Sequence, residues 1–260
     1  MHRLWPQPSA TGLDGGALDD AELDATLAAH YAWPERRAVP YVRVNFVSSL
    51  DGAVTVDGQS GGLGNAADKK VFDLLRELAE VVLVGAGTVR TEKYNGVQRN
   101  TRGRDTPPPV AVVTGSADLD PTSALFTDTV VPPLILTLES APADRRATIA
   151  EAGGEVVVLP RLTPDVLLAE LGRRGLTRVL CEGGPSLLGA LHAADAVDEL
   201  CLTVAPLLVG GEGGRIAHGP SGPPPRRMTL VGALHADDAL LLRYRRSPDP
   251  TDAADAPPPA

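Results

Sequence analysis

The sequence predicts an α/β fold: a mixed, mostly parallel sheet flanked by helices and finished by a C-terminal antiparallel hairpin. Three observations predict it. From Tyr41 onward, short Val/Leu/Ile runs alternate with amphipathic stretches, beginning VRVNFV, DKKVFDLLRELAE and VVLVGAG, which reads strand, helix, strand. Most of these runs are continuously apolar, as in VVLVG, PVAVVT and EVVVLP, the pattern of strands covered on both faces. The last two, MTLVGALHA and ALLLRYRR, are joined only by Asp237-Asp238, too short a link for a helical crossover, so they form a hairpin.

Taken in order, residues 1 to 17 are Gly- and Pro-rich, and DDAELDATLAAHYA offers Asp19 or Asp20 as an N-cap before apolar residues at helical spacing, a short peripheral helix. Further strands are PVAVVT (109 to 114), PLILTL (133 to 138) and EVVVLP (155 to 160), with a helix near 142 to 152. In the helix at 163 to 174, Thr163 can cap the free amides, Pro164 takes the first helical position where its missing N–H is harmless, and Gly175 ends the helix. RVLCEGG, PSLLGALHAA and DELCLTVAPLLVG follow as strand, helix and strand. The Pro-rich stretch at 220 to 225 reads as a surface loop, and SPDPTDAADAPPPA as a disordered tail. The chain therefore divides into an N-terminal extension (1–40), one α/β domain (41–246) and a tail (247–260), with no internal repeat.

Composition narrows the function classes. With 24 basic against 33 acidic side chains the net charge is −9, so binding to nucleic-acid phosphate gains little. No apolar run approaches the roughly 20 residues of a membrane helix, and Asp14, Asp19, Asp20, Glu22 and Asp24 stand where a signal peptide wants positive charge. A soluble cytoplasmic protein is expected. Cys181 and Cys201 sit inside apolar stretches and read as buried small hydrophobes, and none of the five histidines is spaced with another as metal ligands are, so no metal site is expected. GxxxxGK[ST] and HExxH are both missing from the string.

Two glycine-rich turns carry the chemistry. VVLVGAGTVR (Gly85, Gly87, Thr88) and RVLCEGGPSLLG (Gly183, Gly184, Pro185, Ser186) each follow a strand and open a helix, where unpaired N–H groups and the helix dipole suit a phosphate; tight turn-making is the other reading of each. GAGTVR lacks the third glycine and the ribose-binding carboxylate of the usual dinucleotide fingerprint. Thr114 and Ser116, with Arg102 and Arg104 in the preceding loop, suit a 2′-phosphate, or are turn formers and solvated cations. Glu182, shielded after RVLC, either accepts hydrogen bonds from a pyrimidine or pterin or caps a helix, and partial burial would raise its pKa or demand a partner. Asp51 in NFVSSLDG is a turn-forming Asp-Gly or a site residue.

NFVSSLDGAVTVDGQSG, LLRELAEVVLVGAGTVR, LCEGGPSLLG and DELCLTVAPLLVGG, in that order over roughly residues 41 to 245, resemble the reductase family of riboflavin biosynthesis. The resemblance implies a dihydrofolate-reductase-like fold, a homodimer, and NADPH as donor of a hydride to a ribosylaminopyrimidine phosphate. Carried over motif by motif, it implies cofactor contacts at Val47, Gly85, Gly87, Thr88, Glu92, Thr114, Ser116 and the segment Gly183, Gly184, Pro185, Ser186, Leu187 and Leu188. It implies substrate contacts at Asn45, Ser60, Arg76, Arg99 and Glu182, with Glu182 or Asp51 relaying a proton. Arg76 suits a sugar phosphate; its other reading is a partner for Glu80 one helical turn on. Asn45 stands where bifunctional members carry lysine, Ala53 where Lys or Arg is common, and Glu92 where the family usually has Asp. No deaminase domain is expected in the 40 leading residues. Two alternatives stay open: a dihydrofolate or pterin reductase, and a non-catalytic NADPH-binding protein.

Overall fold

A computed structural model describes residues 1–5, 20–35, 38–98, 102–219 and 225–247. Arg99, the loop residues 220–224 and nearly all of the expected tail lie outside these. The described strands are β1 (His2–Trp5), β2 (Tyr41–Ser48), β3 (Val81–Gly85), β4 (Val110–Val113), β5 (Leu134–Leu138), β6 (Glu155–Leu159), β7 (Arg178–Cys181), β8 (Glu199–Val204), β9 (Met228–Ala236) and β10 (Ala239–Arg246). They form one sheet in the order β1-β9-β10-β8-β2-β7-β3-β4-β5-β6. From β8 to β6 every neighbouring pair is parallel, and β8, β10, β9 and β1 pair antiparallel. The mixed sheet and its terminal hairpin are those the sequence predicts.

The central apolar runs bury on both sides because side chains alternate along a strand, but EVVVLP does not: β6 is an edge strand and Val158 stays exposed. In β3, Val82 and Val84 enter one core while Val81 and Leu83 enter the other. Helix α2 (Ala66–Leu78) lays Val71, Leu74 and Leu75 on the first face, beside Ile149 of α5 (Ala143–Glu151). The second face is covered by α6 (Pro164–Arg173) through Leu167 and Leu171, and by α7 (Pro185–Ala193) through Leu187, Leu188 and Leu191. Truncating a fully enclosed residue such as Leu75 to Ala costs about 2–5 kcal/mol. Cys181 and Cys201 lie in opposite cores, as two buried thiols that burial pushes up to about 12. Among the described residues no cluster of His, Cys, Asp or Glu is arranged to hold a metal, and no helix is long and apolar enough to cross a membrane.

Local capping differs in detail from expectation. Pro164 does open α6 and Gly175, at φ +75°, follows its end, but Thr163 turns its hydroxyl to the Asp165 carboxylate and leaves the helix amides alone. The N-terminal segment is more than a peripheral extension: β1 pairs with β9, and α1 (Asp20–His30) buries Leu27 in the first core, with Tyr31 just beyond it. The reason lies in a buried ion cluster at the start of β8. Glu199 opens β8 fully buried among three guanidiniums, with Arg43 Nε at 2.5 Å, Arg243 Nε at 2.9 Å and Arg245 Nε at 3.0 Å. The guanidiniums of Arg43 and Arg243 also donate to the carbonyls of His30, Tyr31 and Ala32, which fastens the end of α1 to the sheet. Burial would raise Glu199, but the arginines outweigh it and hold the carboxyl at about 2.

Candidate active site

The carboxyl ends of β2, β3, β4 and β7 open onto a cleft of about 1060 Å³. Open α/β sheets place ligands there because the strand-to-helix turns gather at that edge. The two glycine turns meet: β3 and β7 are neighbours, and Gly85 N–H donates to Gly183 O at 2.7 Å. Each turn runs into a helix, α3 (Ala86–Thr91) after Gly85 and α7 after Gly184. Close approach makes the glycines necessary. A Cβ on Gly184 would stand 2.5 Å from Thr88 Oγ1, and one on Gly183, which sits at φ +93°, would stand 2.9 Å from the Phe46 ring. The Gly183–Gly184 peptide is cis.

Asn45, Val47, Ser60, Arg76, Gly85, Gly87, Thr88, Glu92, Thr114, Ser116, Glu182, Gly184, Pro185, Ser186 and Leu187 all line this one cleft. Gly183 and Leu188 sit behind it, Leu188 in the second core. Glu92 accepts from Ser60 N–H at 2.9 Å and so ties the loop after β2 to the end of α3.

The partner that Glu182 demands is Arg76. The guanidinium donates from Nε to Oε1 at 2.8 Å and from Nη2 to Oε2 at 2.7 Å, a two-pronged pair between two largely buried residues. Tyr94 donates its hydroxyl to Oε2 of the same carboxylate. Arg76 lies 4.2 Å from the Phe72 ring centroid and 5.1 Å from that of Tyr94. Burial alone would lower the guanidinium, but Glu182 raises it further above its usual range, while burial and the carboxylate together push the Tyr94 phenol well up. The i+4 pairing of Arg76 with Glu80 does not occur, because Glu80 accepts from Thr177 N–H at 2.7 Å and Arg178 N–H at 3.0 Å.

Two other expectations are corrected. Asp51 is absent from the cleft wall: its carboxylate accepts from Ser49 Oγ at 2.5 Å and from the N–H groups of Val209 and Gly210 at 3.2 and 2.7 Å. Those bonds, Ser49 first, hold it at about 2, so Asp51 ties two loops as an ionised acceptor outside the cleft wall. Arg102 and Arg104 face the other way. Arg102 grips Asp24 at 2.7 Å and Glu77 at 3.1 Å, and Arg104 donates to the carbonyls of Leu78 and Ala79 at the end of α2. The guanidiniums near Ser116 are instead Arg145, whose Nη1 lies 3.4 Å from Ser116 O, and Arg90, which lines the cleft and donates to Asp118 O at 2.8 Å.

Sequence reasoning missed Phe72, Tyr94, Asp68 and Arg90. Arg90 directly follows GAGTV and was within reach; no local pattern marks Tyr94, whose partners lie 18 and 88 residues away.

A ten-stranded sheet with its cleft over the parallel carboxyl ends puts the protein in the pyrimidine-reductase-like class of α/β folds: a pyrimidine reductase-like protein from Corynebacterium diphtheriae superposes with a TM-score of 0.75 at 26% identity, over 86% of this chain and 99% of that one. The family follows from the sequence comparison. The chain belongs to the family of the RibD C-terminal domain, whose model matches residues 40–242. Among its relatives, the 2,5-diamino-6-ribosylamino-4(3H)-pyrimidinone 5′-phosphate reductase of Aquifex aeolicus is 33% identical over 66% of this chain and 80% of its own length. The protein of that name from Methanothermobacter thermautotrophicus is 31% identical over 80% of this chain and 92% of its own length.

Proposed function

We propose that this protein is an NADPH-dependent reductase that converts the ribosylamino group of a pyrimidine phosphate of riboflavin biosynthesis to the ribitylamino form. The single observation that carries the reading is the hydrogen-bonded pair of glycine turns facing the Arg76–Glu182 pair across one cleft. The first keeps side chains away from a pyrophosphate, and the second provides a fixed cation for a sugar phosphate.

The residues present fit the cofactor. Gly184 has no room for a Cβ against Thr88, the α7 N-terminus opens on the cleft, and Ser116 is flanked by Arg90 and Arg145 where a 2′-phosphate needs charge. Bound NADPH supplies the hydride. Gly85, Gly87, Thr88, Thr114 and the segment from Gly184 to Leu187 would hold it, and Asn45, Val47 and Ser60 would border the substrate. Glu182 keeps Arg76 ionised and oriented, with Tyr94 fixing the second oxygen, so the guanidinium meets its ligand without rearranging. We also propose a cytoplasmic homodimer; Leu50, Leu207, Leu208 and Val209 form an exposed apolar cluster suited to a second copy, and sedimentation tests it.

The test is the loss of reduced-nicotinamide absorbance on adding ribosylaminopyrimidine phosphates, with dihydrofolate as the competing substrate. Oxidation with the pyrimidine phosphate is expected. Oxidation with dihydrofolate alone would make the protein a pterin reductase, and tight NADPH binding without any oxidation would make it a non-catalytic binder. A thermal shift larger with NADPH than with NADH checks the cofactor.

A further inference from the structure

A smaller cavity of about 410 Å³ shares Lys69, Arg76 and Asn95 with the cleft wall. Asn95 has no role so far. It is one of four asparagines in the chain and the one followed by glycine. In an Asn-Gly pair no Cβ hinders the next backbone nitrogen on its way to the side-chain carbonyl carbon, so such pairs cyclise more readily than any other. Packing forbids a bulkier residue at 96, since a Cβ there would collide with Thr129 Oγ1 and stand 2.6 Å from Thr129 Cα. The loop from Asn95 to Gln98 is held by Asp128, which follows α4 (Ala124–Thr127). Asp128 O accepts from Gly96 N–H at 3.0 Å and from Gln98 Nε2 at 2.6 Å. Its carboxylate accepts from Asn95 Nδ2 at 3.3 Å and from Gln98 Nε2 at 2.9 Å. Loop docking accounts for the Gln98 bonds. It does not account for one acid holding both groups that cyclisation needs, the Gly96 nitrogen and the Asn95 carboxamide.

We propose that Asn95–Gly96 is a modification site, a deamidation switch that the Asp128 clamp keeps closed and whose product opens the clamp. The Gly96 amide, once deprotonated, attacks Asn95 Cγ; the new N–C bond expels Nδ2 as ammonia and leaves a succinimide. Water then opens the ring at either carbonyl to give aspartate or isoaspartate. Asparagine and water thus become an acid and ammonia, with no oxidant or reductant. While Gly96 N–H donates to Asp128 O the nitrogen keeps its proton, and while Asn95 Nδ2 donates to Asp128 Oδ2 the carboxamide is held from turning toward it. The reaction therefore runs from molecules whose loop has opened, and its rate reports their population. In the aspartate product the donor 3.3 Å from Asp128 Oδ2 becomes an anionic oxygen, and two carboxylates face each other. The isoaspartate product lengthens the main chain by one carbon as well. The loop so released carries Tyr94, whose hydroxyl bonds Glu182 and whose ring lies 5.1 Å from the Arg76 guanidinium. Deamidation thus loosens the Arg76–Glu182 pair and adds a negative charge to the wall that both cavities share.

The experiment incubates the full chain at mildly alkaline pH, folded and in urea, and follows the mass of the peptide 94–99 that trypsin releases after Lys93 and Arg99. Deamidation adds one mass unit to it, and enzymatic methylation of isoaspartate is the second signal. The folded parent is expected to react at least about 100-fold more slowly than the unfolded chain, and Asp128→Ala about tenfold faster than the folded parent. Asp128→Asn, which keeps the backbone acceptor and one side-chain oxygen, falls between, and decides the matter should Asp128→Ala not fold. Asn95→Gln, whose ring closure needs a six-membered ring, keeps its mass over the same period. Asn95→Asp, made directly, is expected to speed hydrogen exchange at the Gly96 amide about tenfold and to lower kcat/KM with the pyrimidine phosphate by a similar factor. Equal rates in the parent and both Asp128 variants, unchanged Gly96 exchange in Asn95→Asp, or an undiminished kcat/KM in that variant each overturn the proposal. Mass and exchange are read without turnover, so a parent that reduces no pyrimidine sinks the reductase reading alone and leaves these two readouts to decide.

Discussion

Glu182 and Glu199 are two buried carboxylates, each clasped by arginine and approached by a tyrosine hydroxyl, one just past the carboxyl end of β7 and the other at the first residue of β8. Glu199 opens β8 among Arg43, Arg243 and Arg245, with Tyr41 donating at 3.2 Å. Glu182 lies where β7 ends, with one arginine and one wall open to the cleft. Identical groups thus have different consequences. Around Glu199 the carboxylate, Arg43 and Arg243 are closed off and join chain segments; at Glu182 the pair borders the cleft and keeps N–H groups available to a ligand. What separates structure from function is the end of the strand on which a charge falls.

The comparison can be broken by substitution. Glu199→Gln leaves three guanidiniums without their counter-charge and is expected to cost about 3–5 kcal/mol in denaturant unfolding, with the remaining folded protein as active as the parent. Acid should do the same gradually. A folded pKa held below the ordinary value means that the stabilisation, about 3 kcal/mol, is complete above that value, and disappears as pH falls from about 4.5 to about 2. Glu182→Gln should invert the outcome: about 2 kcal/mol or less of stability, because Arg76 can be hydrated from the cleft, but a loss of about 10²-fold in kcat/KM. Equal effects of the two variants on stability would erase the distinction. Gly184→Ala sharpens it on the cofactor side, since the new methyl presses on Thr88: NADPH affinity should weaken about tenfold, with about 1–3 kcal/mol of stability lost to the same overcrowding. The smallest effect is expected for Arg102→Ala, about 1 kcal/mol or less, with preference for NADPH over NADH unchanged, whereas Arg90→Ala should erode that preference.

Periodicity made the sheet legible. Continuous runs such as VVLVG announce strands covered on both faces, and the Asp237-Asp238 link announces the hairpin. Strand β1 stayed hidden because four residues before a Gly- and Pro-rich stretch carry no period of their own; their place comes from the exposed edge of β9. At the site, backbone features were readable and side-chain partnerships were not. Both glycine turns are local patterns, but Arg76 and Glu182 are 106 residues apart, and helical spacing offered Arg76 the nearer Glu80 instead. Arg102 and Arg104 misled for a related reason, since a loop's position in sequence does not say at which end of the sheet its charges emerge. Asp68 went unmarked, since the spacing from Asn65 to Asp68 is that of a helix start and says nothing of the cleft that Asp68 lines.

The bond from Gly85 N–H to Gly183 O joins the two halves of the cradle through main chain alone. Because that bond uses main chain alone, substitution of cleft residues outside the two turns can change what is recognised without changing how far apart the two grips stand. The same frame can therefore be re-lined for different heterocycles, with alterations confined to positions such as Asp68 and Tyr94 that never touch the rivet.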